Sequence, residues 1–246
     1  MELDRCVRVL GPIDVMRPDG THPVGGRRQR ALLAALAVAA GRSVPLDQLR
    51  EVVWGDGAPR TSANTLQSHV SHLRDLIGSD AIVHVDHAYR LDLGQISVDA
   101  IEFTRLLRRA TSSGSPEERW QLSRDALALW RGQAFGDLAD DEPFALEAYR
   151  LDELRLAAME INLAADLDLG NHELVVGELE CAVHEHPYHE RLWQLLVEAL
   201  LRSERRIDAR RACTDWRRIL SEADLEPSEE LERCERRLTA RTSDGG

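Results

Sequence analysis

The sequence predicts a mainly α protein in two parts. The first is an N-terminal winged helix-turn-helix with a small β-sheet and a wing hairpin; the second is a C-terminal all-α, tetratricopeptide-like helical domain. Three observations carry this. Residues 58–77 form an amphipathic helical pattern followed by a strictly alternating run, Ile82 to Leu93, which is the signature of a helix and then a hairpin. From about Ser97 the pattern is helical almost throughout. The second half also repeats itself: a shift of 33 residues lays Ala164, Leu167, Gly170, Leu174 and Leu179 on Val197, Leu200, Ser203, Ile207 and Ala212. Periods near 34 residues with paired amphipathic helices mark repeats that stack and leave a concave polar groove. The expected boundaries are 1–96 and 97–240, with a disordered tail at 241–246.

The first part reads in order as strands, three helices and a hairpin. Cys6 to Val15 alternates apolar and polar, Arg17-Pro18-Asp19-Gly20 is a turn, and a short strand surrounds His22 to Val24, giving a small antiparallel sheet. Gly25-Gly26 end it. Arg27 to Ala40 is an apolar helix stopped by Gly41, with Leu32, Leu33, Leu36 and Val38 in the core. Arg27, Arg28 and Arg30 sit at its N-terminus, where the macrodipole disfavours cations. An anion should offset them, and a DNA phosphate is one candidate; a solvated basic patch is the other. Val44-Pro45 leads into a short helix, Leu46 to Trp54, and Pro59 admits the next.

In that third helix Leu66, Val70, Leu73 and Ile77 fall at i, i+4, i+7 and i+11 and stack along one side. The opposite side carries Asn64, Ser68, Ser71 and Asp75, flanked by Thr61, Gln67 and His72. A helix face in water usually shows Glu/Arg pairs. A face lying in a DNA groove needs small hydrogen-bonding groups that reach base edges and phosphates. An ordinary polar face remains open on this helix alone, and the neighbouring segments favour the groove: in a winged helix the third helix enters the major groove and the hairpin, here with its tip at Asp86-His87-Ala88, reaches the flanking backbone. Phosphate contact is expected from Arg27, Arg28 and Arg74. Base reading is expected from the face formed by Arg60, Thr61, Asn64, Thr65, Gln67, Ser68, Ser71 and His72, and Tyr89 and Arg90 of the wing are expected to steady the domain on the DNA.

In the second part Asp99 to Ala110 is an amphipathic helix, and Ser115-Pro116-Glu117-Glu118 caps the next, which runs to Trp130. Ala134 to Pro143 reads as an acidic link of low periodicity. A long helix, Phe144 to Leu169, breaks at Gly170-Asn171 into helical pairs. Trp120, Trp130, Trp193 and Trp216 are packing anchors between helices. His184, His186 and His189 lack metal-ligand spacing, and Arg202, Arg205, Arg206, Arg210 and Arg211 read as a solvated face paired with nearby acids.

Bulk properties narrow the class. The chain has 246 residues, 43% hydrophobic and 30% charged, which suits two ordinary globular domains. No apolar run approaches the ~18–20 residues of a membrane span, and Ala31 to Ala40 starts too late to be a signal peptide, so the expected location is the cytoplasm, with no membrane partner. Cys6, Cys181, Cys213 and Cys234 make no CxxC pair and read as buried or idle thiols. The net charge of −12 lies wholly in residues 98–246, which hold 20 Arg and 32 acids; residues 1–97 hold 11 of each. An acidic chain argues against nucleic acid as a partner, but this split leaves the first half eligible. There is no phosphate-binding loop, GxGxxG or GxSxG, so neither an enzyme nor a cofactor is expected.

A resemblance sharpens the reading. The run PLDQLREVVWGDGAPRTSANTLQSHVSHLRDLIG with HAYRLDL resembles the OmpR-type winged helix. It resembles more closely the version that opens the Streptomyces antibiotic regulatory proteins. Trp54, Gly55, Asn64, Thr65, Leu66, Gln67, Val70, Ser71, Leu73, Arg74, Tyr89, Arg90 and Leu91 match; Ala88 stands where the family has Gly. Ala126 to Leu138, Ala165 to Glu180 and His186 to Leu220 resemble the same family's bacterial transcriptional activator domain, and together the likeness covers roughly residues 5–240. It implies a sequence-specific activator that binds direct repeats in promoter double-stranded DNA as two protomers side by side, a homodimer at least on DNA. It further implies contact with RNA polymerase holoenzyme, sigma factor included, and control of a secondary-metabolite gene cluster. With no receiver domain before the winged helix and no nucleotide-binding extension, neither phosphorylation control nor ATP is implied. The alternative is an interaction scaffold in which the winged helix is a docking module.

Overall fold

The computed structural model describes residues 4–57 and 62–240. The chain forms two compact units. One comprises the residues up to Arg108 together with Asp125–Leu156; the other comprises Arg109–Arg124 together with the residues from Ala157 onward. The second-half elements are thus shared between units, where the sequence suggested a single division after residue 96.

In the first unit β1 (Cys6–Arg8), β2 (Asp14–Arg17) and β3 (Gly20–Pro23) form antiparallel pairs, and β7 (Ser97–Val98) adds to β1 in parallel. In the sequence the alternation of apolar and polar residues runs from Cys6 to Val15. In the structure the chain leaves the sheet after Arg8, because the amides of Val9 and Leu10 donate to the carboxylate of Asp99 at 2.8 and 3.0 Å. Their carbonyls accept from the amides of Phe135 and Arg131 at 2.7 and 2.8 Å. Gly11 is required here: its φ is +146°, and a Cβ would lie 2.9 Å from Cβ of Arg131. Asp99 opens α4 (Asp99–Ser112) and is 2% exposed. Arg131 approaches it at 3.7 Å and pairs with Asp14 at 2.9 Å.

The stretch expected to be an acidic link is in fact core. Ala134, Phe135, Leu138 and Ala139 are buried, and the rings of Phe135 and Phe144 lie 5.4 Å apart. Low periodicity concealed this, because Phe135 and Gly136 take left-handed backbone (φ 63° and 52°), turning apolar side chains inward without a helical or strand repeat. The preceding helix, α5 (Pro116–Leu127), accordingly stops short of Trp130. Its start is as expected, with the Ser115 hydroxyl accepting the Glu118 amide at 3.2 Å, a side-chain N-cap.

The winged helix follows its pattern. α1 (Arg27–Val38), β4 (Val44–Pro45), α2 (Leu46–Trp54) and α3 (Ser62–Ile77) lead into the hairpin of β5 (Ile82–Val85) and β6 (Ala88–Leu91), and β4 pairs with β6. Asp86 and His87 form the two-residue turn, both with positive φ (45° and 62°), as a type I′ hairpin requires. The left-handed positions are therefore these two. Ala88 lies one step beyond, buried and paired with Val85 and Pro45, and it needs no glycine.

The second unit contains the C-terminal part of α6 (Glu142–Asp168), then α7 (His172–Glu185), α8 (Glu190–Arg202), α9 (Arg206–Glu222) and α10 (Glu229–Ala240). α8 packs on both α7 and α9, and α10 on α9. Trp193 and Trp216 stack 6.2 Å apart at 5°, locking the pairs together. Trp120 and Trp130 are only half-buried; Trp130 meets Phe103 edge-on at 5.4 Å. The repeat-related Leu174 and Ile207 are 78% and 87% exposed. His189 is held by Glu160. No described helix is long and apolar enough to cross a membrane.

Two measurements check this packing. Burial raises the Asp99 carboxyl to about 6, well above its ordinary 3.8. A raised acid favours the protonated form, so its charge weakens the fold above pH 6 and that cost is relieved as pH falls through 6 toward 4. Asp99→Asn offers one acceptor to two amides and should lower stability by about 1–3 kcal/mol. Its deficit should widen by roughly 1 kcal/mol between pH 7 and pH 5 in paired thermal melts. Burial likewise pushes the Cys213 thiol up to about 12 and raises Cys234, whereas Cys181 is exposed. Titration with a thiol reagent should label Cys181 rapidly and Cys213 and Cys234 only on unfolding.

Candidate nucleic-acid interface

α3 presents two unlike sides. Leu66, Val70, Leu73 and Ile77 are at most 1% exposed, while Asn64, Gln67, Ser68, Ser71 and His72 are exposed. Burying four branched apolar side chains stabilises the unit by roughly 1.5–3 kcal/mol each and fixes the rotation of the helix, so the polar side must point to solvent. Thr65 is half-buried. Ser62 is fully buried and its hydroxyl accepts Nε of Arg50 at 2.8 Å, which ties the start of α3 to α2. Arg60 and Thr61, expected to contribute to the base-reading face, lie outside the described residues.

The arginines expected on phosphate are placed differently from one another. Arg27 donates to both carboxylate oxygens of Asp141 at 2.5 Å and to the Asp137 carbonyl at 3.1 Å. Arg30 holds the Asp137 carboxylate at 2.7 and 3.1 Å, and its guanidinium keeps that carboxyl below the usual range. The anion called for by cations at a helix N-terminus is thus supplied from within the chain. Among the described residues Arg28 has no such acid: its guanidinium lies 5.9 Å over the Trp54 ring. That indole in turn stacks on His69 at 6.1 Å. Burial first, then Arg28 and His72, push the His69 imidazole down in pKa.

Arg74 and Tyr89 have partners within the chain. Arg74 was expected on phosphate, but its Nε and Nη2 both donate to the Ile82 carbonyl, at 3.1 and 2.7 Å, and its guanidinium sits 5.9 Å over the Tyr89 ring. Tyr89 is 5% exposed and packs against His84 at 4.8 Å. Both therefore brace α3 against the base of the wing. Angular position on α3 could not reveal this, because the acceptor is a carbonyl eight residues on that only the folded hairpin brings into range. Arg90 is half-buried on the same strand. The sequence reading passed over His84, which is exposed on β5 beside the wing tip; its place two residues before the turn was the available signal.

A bare polar third helix, braced by a wing and followed by stacked helical pairs, defines the OmpR-type winged-helix regulators that carry a helical activator domain. Comparison with known proteins agrees. Residues 98–239 match the family model of the bacterial transcriptional activator domain, and residues 22–88 match that of the C-terminal domain of transcriptional regulatory proteins. The regulatory protein DnrI of Streptomyces peucetius is 32% identical over 243 residues, covering 92% of this chain and 89% of that protein. The regulatory protein AfsR of Streptomyces griseus is 32% identical over 94% of this chain, which spans only 24% of AfsR. The structure of Mycobacterium tuberculosis EmbR in complex with a low-affinity phosphopeptide matches with a TM-score of 0.86 at 27% identity, over 98% of this chain and 66% of that one. The chain belongs to the Streptomyces antibiotic regulatory protein family of transcriptional activators.

The bracing role of Arg74 is open to test. Arg74→Ala should destabilise the first unit by about 1–2 kcal/mol and speed amide exchange in β5. Gln67→Ala, on the exposed side, should stay within about 0.5 kcal/mol of the parent.

Proposed function

We propose that the protein is a sequence-specific DNA-binding transcriptional activator. The single observation that supports this best is the exposed, acid-poor face of α3, held outward by its buried stripe. In this reading α3 lies in the major groove with Asn64, Gln67, Ser68, Ser71 and His72 toward base edges, and Thr65 at its margin. Arg60 and Thr61, outside the described residues, belong to the base-reading group in this reading. Arg28 and Arg90, with the wing-tip histidines, take phosphates; Arg74 and Tyr89 act by positioning the helix and wing.

The family supports further proposals: binding to promoter direct repeats as a homodimer, recruitment of RNA polymerase holoenzyme through its sigma factor, and control of a secondary-metabolite cluster from the cytoplasm. We retain the division 1–96 and 97–240 as a functional one, with DNA contact before it and partner contact after. Because Arg27 and Arg30 are neutralised within the chain, non-specific attraction to DNA is weak. Specific binding then depends on two protomers acting together.

Selection of bound sites from random duplexes, followed by titration at varied salt, tests the reading. Gln67→Ala or Asn64→Ala should relax preference at one base pair, losing about 1–3 kcal/mol of discrimination. Asp137→Asn with Asp141→Asn should release Arg27 and Arg30, tightening binding to every sequence and steepening the salt slope by about 1–2. Binding that no competitor duplex resists, with no salt slope, would point to the scaffold alternative.

A further inference from the structure

The second unit contains a charged cleft that DNA reading does not use. A cavity of about 370 Å³ opens among α5, α6, α8 and α10, and five arginines line it: Arg119, Arg191, Arg202, Arg233 and Arg237. Three carboxylates share the lining, Asp168, Glu198 and Glu230. Two positive charges remain in excess, although the unit as a whole carries 15 arginines against 22 acids. Concentrating cations in one cleft of an acidic unit raises local repulsion, which a bound anion would relieve.

The internal pairing leaves donors over. Arg202 is committed to the fold, with Nε on Glu198 at 2.9 Å and Nη1 on the Leu167 carbonyl at 2.6 Å. Glu198 also receives Arg237 at 2.7 Å, and Asp168 receives Arg119 at 2.6 Å. Arg233 pairs with Glu230, while among the described residues Arg191 meets only the neutral Gln194 oxygen, at 3.0 Å. Each guanidinium has five N–H donors, so among the described residues Arg191, Arg233 and Arg237 keep several unspoken for. Nε of Arg119 is buried with no acceptor. The forks come from separate helices, and Ala164, Leu167 and Leu195 supply an apolar wall beside them.

We propose that this cleft binds a small molecule carrying two or more adjacent phosphates, of the nucleoside diphosphate class. Adjacent phosphates deliver the missing charge in one place, and the planar guanidinium fork matches phosphate oxygens bidentately. The volume lies in the range of ligand clefts, about 300–1,000 Å³, and the apolar wall takes the organic remainder. No glycine-rich loop is involved; recognition is by side chains from three helices. The proposal does not depend on the DNA-binding reading.

Calorimetric titration of the full chain at fixed ionic strength tests it, with ADP, inorganic pyrophosphate, adenosine and a glutamate-rich peptide as probes. ADP should bind saturably with a Kd below about 1 mM, pyrophosphate more weakly and adenosine not at all. Arg191→Gln with Arg233→Gln should weaken ADP at least about tenfold, the removal of two charge-assisted contacts. Arg210→Gln with Arg211→Gln, on the exposed face of α9, should leave it unchanged. Amide exchange of the parent protein, which needs no variant to fold, should slow on ADP addition at the start of α8 and in α10. No saturable binding of ADP, equal loss in both variant pairs, protection elsewhere or none, or binding of the acidic peptide alone would each overturn the proposal.

Discussion

The orientation of α3 depends on one constraint, the burial of Leu66, Val70, Leu73 and Ile77 on a single side. Each apolar contact is weak in itself, but four along one helical stripe leave a single rotation that removes them all from water. Everything offered to solvent by that helix follows from this choice. Its two ends are then pinned by arginine: Arg50 holds Ser62 at the start and Arg74 holds the Ile82 carbonyl near the finish. The exposed side of α3 is thus held in place from beneath and at both ends.

The helices and hairpin were legible because their signals are periodic. The stripe in α3, the capping serine before α5, the helical pairs beyond Gly170 and the wing all appear as spacings within one segment. What escaped is non-local. Nothing near Asp99 announces that its carboxylate closes over the amides of Val9 and Leu10, nor that β7 joins β1. The segment around Phe135 looked like a link because left-handed backbone breaks any repeat. Among candidate site residues, exposure on α3 was readable from angle alone. The partners of Arg27 and Arg74 were not, since Asp141 lies more than a hundred residues away and the Ile82 carbonyl is placed only by the folded hairpin.

Charge is handled the same way in both units. Every basic side chain except histidine is arginine, and most arginines meet a carboxylate or a carbonyl of the same unit. Exposed pairs of this sort contribute little to stability, about 0–1 kcal/mol each. They act mainly as a filter on what the surface attracts. Arg27 and Arg30 are muted by Asp137 and Asp141; Arg28, over Trp54, is not muted by any acid among the described residues.

The parallel pairing of Ser97 and Val98 with Cys6 and Val7 bears on how the molecule can be dissected. A fragment cut after residue 96 would strip one edge from the N-terminal sheet and remove the carboxylate that closes Val9 and Leu10. Its unpaired rim would be free to recruit a strand from another copy. The winged helix and the start of the following helix are therefore one folding unit, and excising the winged helix alone would yield a stickier object than the whole unit.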